Sequence, residues 1–526
     1  MRRFLPVLAL TLLLASCGGK EPGASSVRPA VQPTLTYASA FRAGFTVKTI
    51  QAVAVRYGCG PADGTAPALA QEVETGSTGP ETLDIVLDGL QPETDYIFAA
   101  QGVGPSGEAG LLEQCRFSTR QGPSARYEWE RERSGIPVPA DMTLIPGPSS
   151  HRNPLAWDRD RWRTHVSYTD ENGREHWLFD SFLLIEGQQT GVYGTPGYTY
   201  VLTESATPSA PKKLWQQLLD FWFDGGTFDW QESYWGDGKT SFSRWYTGRM
   251  VTPSPVFSTG QLDALEDCIA ETAARIGPPP ARRYVVMGMP EPIYFDNYIA
   301  GMGNPAGAST RYWGDVDGEE LDFSRVEDRI RACRWFIDET RAAFARKHYQ
   351  HIELLGFYIL PEILDTQWRA EYKRYDEVIP AVADYLHDCG EGLYWIPYCM
   401  APGYTKWKDF GIDVAYMQPN YYWDENGEKP MAATFREIDR YGMGLELEFE
   451  YSMVEAVAGA AQAAKYRARF DDYLSWARSS GVYGSRSIAL YSGTDALHQL
   501  ATSEIQGDRE TYRKLCRFIL ESPLKP

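Results

Sequence analysis

The sequence predicts two folded parts in series: an N-terminal β-sandwich and, after it, an α/β domain of the (β/α)8 TIM-barrel type. Three observations predict this. Residues 34–120 carry short alternating apolar and polar runs broken by Gly/Pro clusters, which is all-β spacing. From Met142 onward, apolar strand-like runs alternate with helical stripes over about 385 residues, a length that suits one barrel with insertions. Eight such runs occur, the number that closes a barrel.

The chain opens with a targeting signal. Arg2 and Arg3 supply a positive n-region, Phe4 to Leu14 an apolar run too short to span a bilayer, and Leu14-Ala15-Ser16-Cys17 follows. This order resembles a bacterial lipobox, which implies cleavage after residue 16 and a diacylated Cys17. The mature chain is then expected in the cell envelope, tethered to a membrane by lipid, with the outer membrane as its destination. Residues 17–33, rich in Gly, Pro, Ser and Ala, bury too little to fold and read as a flexible tether.

Composition excludes some partners and favours others. The net charge is −19 with no Lys/Arg block, which argues against nucleic acid. Aromatics form 13% of the chain, with 16 Trp and 32 Tyr, a supply suited to stacking on the flat faces of sugar rings or to a large core. Cys59, Cys115, Cys268, Cys333, Cys389, Cys399 and Cys516 remain beside Cys17. They lack C-x-x-C spacing, so neither a zinc site nor a disulfide scaffold is expected, and Cys59 with Cys115 is the one pair to consider for a bridge.

Within residues 34–120, Phe45 to Lys48, Ala52 to Arg56 and Leu83 to Leu87 read as strands. Leu90-Gln91-Pro92-Glu93-Thr94-Asp95-Tyr96 resembles the fibronectin type III motif, in which the Tyr hydroxyl bonds back to the chain, and Phe117-Ser118-Thr119 reads as the closing strand. The resemblance implies a spacer domain. A linker near residues 121–125 precedes the barrel, residues 126–526.

The barrel strands are expected at Thr143 to Ile145, Leu178 to Ile185, Tyr284 to Met289, Leu354 to Leu360, Leu393 to Tyr398, Val414 to Gln418, Leu445 to Phe449 and Ile488 to Tyr491. About thirty irregular residues separate the first two. Leu214, Leu218, Phe221 and Trp222 form one helical stripe; Leu262, Leu265, Ile269, Ala273 and Ile276 form another that stops at Gly277 and Pro278. Ser324 with Glu327 predicts a capping box ahead of Val326, Ile330, Cys333 and Ile337, and Thr434 with Glu437 predicts a second.

Chemistry in such barrels sits at the C-terminal ends of the strands. The fourth run ends in Glu362. The seventh, Gly444-Leu445-Glu446-Leu447-Glu448-Phe449-Glu450, has a period of two that puts its carboxylates on one face and its apolar residues on the other. Leu445, Leu447 and Phe449 suit packing on helices, which sends the carboxylates inward. Buried charge is expensive without a purpose, so Glu362 and Glu448 are the catalytic candidates, with Glu446 in reserve. A carboxylate after strand four and another on strand seven resembles the large retaining glycosidase clan with barrel folds, where the first is acid/base and the second nucleophile. The Asn that usually precedes that acid/base is replaced here by Pro361. Carboxyls about 5 Å apart imply retention, and about 6.5 to 9.5 Å inversion.

Several ordered segments are similar to the family catalogued as domain of unknown function 4855: Trp177 to Phe182, Gly356-Phe357-Tyr358, Trp395-Ile396-Pro397-Tyr398, Trp407 to Asp413, Gln418-Pro419-Asn420-Tyr421 and Gly444 to Glu448. The resemblance implies a bacterial surface or secreted protein with a glycosidase-like barrel and supports the strand order.

Asp180, Glu291, Tyr398, Gln418, Asn420, Tyr421 and Tyr491 are the polar strand-end residues expected to line a carbohydrate pocket. The insertion from Phe223 to Trp245, with Trp230 and Trp235, reads as an aromatic loop over the mouth. No G-x-S-x-G, H-E-x-x-H or G-x-x-x-x-G-K-[ST] motif occurs, and no metal or cofactor is expected. The reading is a lipid-anchored glycoside hydrolase acting on an extracellular glycan. Its alternative is a surface lipoprotein that binds glycan without cleaving it.

Overall fold

The computed structural model describes residues 28–38, 43–87, 89–119, 135–147, 156–185, 210–227, 256–292, 294, 311–366, 373–424, 431–493 and 495–525. It divides into two compact units, Met1–Arg120 and Gln121–Pro526. Cys17, Trp230, Trp235 and residues 121–125 lie outside the described residues.

Among its described residues the first unit holds seven strands: β1 (Ala30–Ala38), β2 (Ala43–Ile50), β3 (Ala54–Pro61), β4 (Gln71–Glu74), β5 (Glu81–Leu87), β6 (Asp95–Val103) and β7 (Ala109–Ser118). They form two antiparallel sheets, ordered β1-β2-β5 and β4-β3-β6-β7. Alternation turns Phe45, Val47, Val55, Ile85, Phe98 and Phe117 into one sandwiched core, with the Phe45 and Phe98 rings stacked at 4.1 Å. The Tyr96 hydroxyl accepts the Gln91 N–H at 2.9 Å, the back-bond expected of a tyrosine corner. The first strand starts at Ala30 and buries Val31, so the sandwich takes in part of the stretch expected to be tether. The Cys59 to Cys115 bridge does not form. Both residues stand opposite Phe98, one on each flanking strand, so two strand spacings, about 9.6 Å, separate them where a disulfide tolerates under about 7 Å.

The second unit is a closed barrel of parallel strands: β8 (Asp141–Pro146), β9 (Ser181–Ile185), β10 (Arg283–Met289), β11 (Ile352–Ile359), β12 (Gly392–Trp395), β13 (Val414–Met417), β14 (Gly444–Glu448) and β15 (Ile488–Tyr491). All eight runs read from the sequence are strands of this barrel, and β15 pairs back to β8 to close it. Period two divides the side chains. Met142, Leu144, Leu183, Val286, Tyr394, Tyr416 and Ala489 fill the interior, while Ile145, Leu184, Met287, Phe357, Trp395, Leu445 and Leu447 face outward into the helical layer. Each large side chain buried in these layers contributes about 1.5–3 kcal/mol relative to exposure.

The helices include α1 (Arg159–Val166), α2 (Ala210–Phe223), α3 (Gln261–Ile276), α4 (Val326–Lys347), α5 (Tyr375–Cys389), α6 (Met431–Tyr441) and α7 (Ala460–Ser479). The helix α3 stops at Gly277, whose φ of 83° only glycine adopts without strain. The span between β8 and β9 is more ordered than expected, since it holds α1 and a hairpin of Ser167–Thr169 with Glu175–Trp177. Neither capping box forms. The N-cap of α4 is Arg325, with no side-chain cap bond, and Asp322 accepts the Ser324 N–H instead. Helix α6 begins at Met431, which leaves Thr434 buried inside it against Cys399 and Glu437 accepting from the Tyr404 hydroxyl. Among the described residues no helix is long and apolar enough to cross a membrane.

Candidate active site

Three carboxylates meet at the C-terminal mouth of the barrel. Glu446 and Glu448 lie on the inner face of β14, 2% and 1% exposed, because Leu445, Leu447 and Phe449 occupy the helical side. Gly444 is needed below them, since a Cβ there would stand 2.5 Å from the Tyr416 ring. Glu362 follows β11 and is half-buried. Its segment is held by the next strand: the Trp395 indole N–H donates to the Pro361 carbonyl at 2.6 Å and the Tyr398 N–H to the Glu362 carbonyl at 3.1 Å.

Their electrostatics differ. Burial, then repulsion from Glu448 and from Glu362, pushes the Glu446 carboxyl well above the ordinary carboxylate range. Burial also raises Glu362, opposed by a hydrogen bond from the Gln418 side chain. Glu448 receives two donors on one oxygen: the Asn420 N–H at 2.6 Å and the Tyr473 hydroxyl at 2.7 Å both reach Oε2. Asn420 aims its amide there from a left-handed conformation, φ 55°, which Asn tolerates better than most residues. The arrangement provides a half-buried carboxyl raised by its surroundings and a second carboxyl fixed by two donors at the same mouth.

The other expected residues divide by place. Gln418 joins Glu362, and the Tyr398 hydroxyl lies 3.4 Å from Asn420 Oδ1. Tyr491 pairs with Glu448 in the barrel ladder and packs against the interior, 6.2 Å from the Trp423 ring. Tyr421 turns away, its hydroxyl donating to Asp472 at 2.7 Å on the outer side of α7. Glu291 is buried after β10 and accepts from the Tyr375 hydroxyl, in a small apolar cavity lined also by Pro361 and Lys373.

Asp180 is a correction. Strand β9 begins at Ser181, after it, so Asp180 stands at the N-terminal foot of the barrel, the opposite end from Glu362 and Glu448. There it meets Arg283 at 3.2 Å and Lys525 at 2.8 Å. A carboxylate paired with two buried cations at the foot is a structural group and not part of the mouth.

The sequence reading missed Tyr473. It lies on α7, where its spacing with Tyr466, Phe470 and Leu474 reads as an ordinary apolar stripe, and only the fold brings its hydroxyl to Glu448. Trp423, on the loop after β13, was missed likewise.

Among solved structures, the chain is similar to the β-glucuronidase of Parabacteroides merdae, at 9% identity over 88% of this chain and 47% of that one, with a TM-score of 0.28. It is similar to Bifidobacterium dentium β-glucuronidase complexed with coumarin-3-O-glucuronide, at 9% identity over 88% and 60%, with a TM-score of 0.27. A smaller part, 19% of the chain, is similar to 99% of the sensor domain of the anti-sigma factor RsgI4 in Pseudobacteroides cellulosolvens, at 15% identity and a TM-score of 0.15. The chain spans less than two thirds of the length of either glucuronidase. No curated protein matches the sequence. One family model, described as domain of unknown function (DUF4855), matches residues 254–517.

Proposed function

Because the chain belongs to the DUF4855 family, whose description names no reaction, we propose its function from the site: hydrolysis of a glycosidic bond in an extracellular glycan by Glu362 and Glu448. The observation that supports this is the meeting of a carboxyl raised by burial and a doubly hydrogen-bonded carboxyl at one barrel mouth. Glu362, raised by burial, gives its proton to the leaving oxygen as the bond breaks. Glu448 supplies the negative charge that either attacks the anomeric carbon or takes a proton from attacking water. Burial and the two neighbouring carboxyls favour the uncharged form of Glu446 beneath them. Gln418, Tyr398 and Tyr491 line the mouth where sugar hydroxyls and a ring face would lie.

The reading extends to where the enzyme works. The Leu14-Ala15-Ser16-Cys17 order supports lipid attachment at Cys17 and a place in the cell envelope, where the glycan would meet the barrel. The test of the chemistry is a panel of aryl glycosides and polysaccharides offered to the purified mature protein and to Glu448→Gln. Turnover that the substitution abolishes supports the proposal. Glycan binding without turnover by the unaltered protein would make it a lectin-like barrel instead.

A further inference from the structure

The hydroxyl of Tyr473 is a junction of three hydrogen bonds. It stands 2.8 Å from the Tyr421 amide nitrogen, 3.1 Å from the Tyr422 amide nitrogen and 2.7 Å from Glu448 Oε2. A phenol has one proton to give and lone pairs to receive with. Backbone amides only donate, so both lone-pair positions are taken by Tyr421 and Tyr422, and the one hydroxyl proton is left to point at Glu448.

The loop that supplies those amides is itself clamped. Arg469, one turn before Tyr473 on the same face of α7, donates to the carbonyls of Tyr421 at 3.1 Å, Tyr422 at 2.9 Å and Asp424 at 2.7 Å. The same loop delivers the Asn420 N–H to Glu448 Oε2 at 2.6 Å. Two donors of fixed direction therefore meet on Oε2, and neither can turn to accept.

We infer that Tyr473 is a positioning residue that commits Oε2 of Glu448 to accepting hydrogen bonds and so favours the charged form of this carboxyl. A proton on Oε2 would face two donor hydrogens, so Oε2 is closed to protonation while both bonds stand. The catalytic meaning of this assignment rests on the proposed glycoside hydrolysis. The hydrogen-bond polarity does not.

The test separates the two. Protein labelled with 13C at the glutamate carboxyl carbons is titrated by NMR, with the Glu448 resonance identified by its loss in Glu448→Gln. Replacing Tyr473 by Phe keeps the ring and removes the donor, and the Glu448 titration midpoint should rise by about one unit, a tenfold change in its acid constant. Placing 3-fluorotyrosine at 473, a better donor of nearly the same shape, should move the midpoint down. The two opposite shifts, with the thermal midpoint of the fluorinated protein unchanged, identify a bond directed at the carboxylate, and a packing role moves neither in this pattern. An unchanged midpoint in both proteins, or a shift of the same sign in both, overturns the inference. If a hydrolysable glycoside is in hand, Tyr473→Phe should lower kcat by tenfold or more with KM changed less than threefold. If the NMR shifts appear and no glycoside is cleaved, the positioning stands and the hydrolytic reading falls.

Discussion

Glu446 and Glu448 stand one pleat apart on the inner face of β14, both buried, and they are provided for in opposite ways: Glu448 by two donors, Glu446 by a carboxyl that burial and its acidic neighbours push well above the ordinary range. Two ionised carboxylates that close in a dry interior would repel strongly, and neutralising the deeper one removes the conflict.

Glu446→Gln mimics the neutral form, so it should fold and leave turnover at neutral pH within a few fold. A carboxyl whose folded-state pKa is raised contributes stability that is full below the ordinary carboxylate range and is lost as pH rises through the raised value. The variant lacks that loss. Thermal midpoints followed from pH 5 to 9 should fall less steeply for Glu446→Gln than for the parent. Parallel curves would mean that Glu446 is not the buried neutral acid, and lost turnover would move the reacting role to it.

Gln418 hydrogen-bonds the ionised form of Glu362 and so opposes the effect of burial. Removing it with Gln418→Leu should raise the Glu362 pKa further, because the favouring bond goes and the apolar surroundings stay. For a general acid the basic limb of the pH–rate profile follows this pKa, and it should move to higher pH. Glu362→Gln should erase that limb and slow substrates with poor leaving groups about 10² to 10⁴ fold, with activated aryl groups much less affected. Equal losses for all leaving groups would remove Glu362 from the acid role.

Lys525, next to last in the chain, closes the foot of the barrel by meeting Asp141 at 2.6 Å and Asp180 at 2.8 Å, all three well buried. Breaking a buried ionic group by removing one partner costs about 3–5 kcal/mol, so Lys525→Met should lower the urea midpoint markedly. The loss should depend on pH. Burial first, opposed by Lys525 and reinforced by Asp180, raises Asp141 to about 6, and without the lysine it rises further. Stability carried by a raised carboxyl is present at low pH and lost as pH rises, so the gap between parent and variant should be small near pH 4 and wide above pH 7. A gap independent of pH would show that Asp141 keeps its charge without Lys525.

If Leu14-Ala15-Ser16-Cys17 is a lipobox, as proposed, Cys17→Ala removes the thiol that would be acylated. Fractionated cells should then carry the variant in soluble material, while the parent is expected to sediment with membranes and to need detergent for release. Continued membrane association of the variant would refute the lipid anchor.

Much of the barrel was legible because β-strands announce themselves by local pattern. The run Gly444 to Glu450 states its two faces in seven letters, and the helical layer takes Leu445, Leu447 and Phe449 as that pattern requires. Errors arose where ends mattered more than middles. Strand two was expected from Leu178, but the Leu178 N–H bonds the Val166 carbonyl and the strand starts at Ser181, which drops Asp180 to the foot. Thr434 resembled a cap because Glu437 follows at the right distance, yet Met431 already begins the helix. Tyr473 was illegible for another reason. Its partner lies 25 positions earlier on a different element, and nothing local distinguishes a tyrosine that packs from one that directs a carboxylate.

The most direct measurement is the rate at which the mature protein and its Glu448→Gln variant hydrolyse a glycoside found on the aryl panel, compared at matched folding. The account predicts that the variant, folded and still able to bind, loses turnover for every leaving group, since among the described residues Glu448 is the carboxyl fixed by two donors at that place in the mouth. Full activity of Glu448→Gln on that substrate would contradict it.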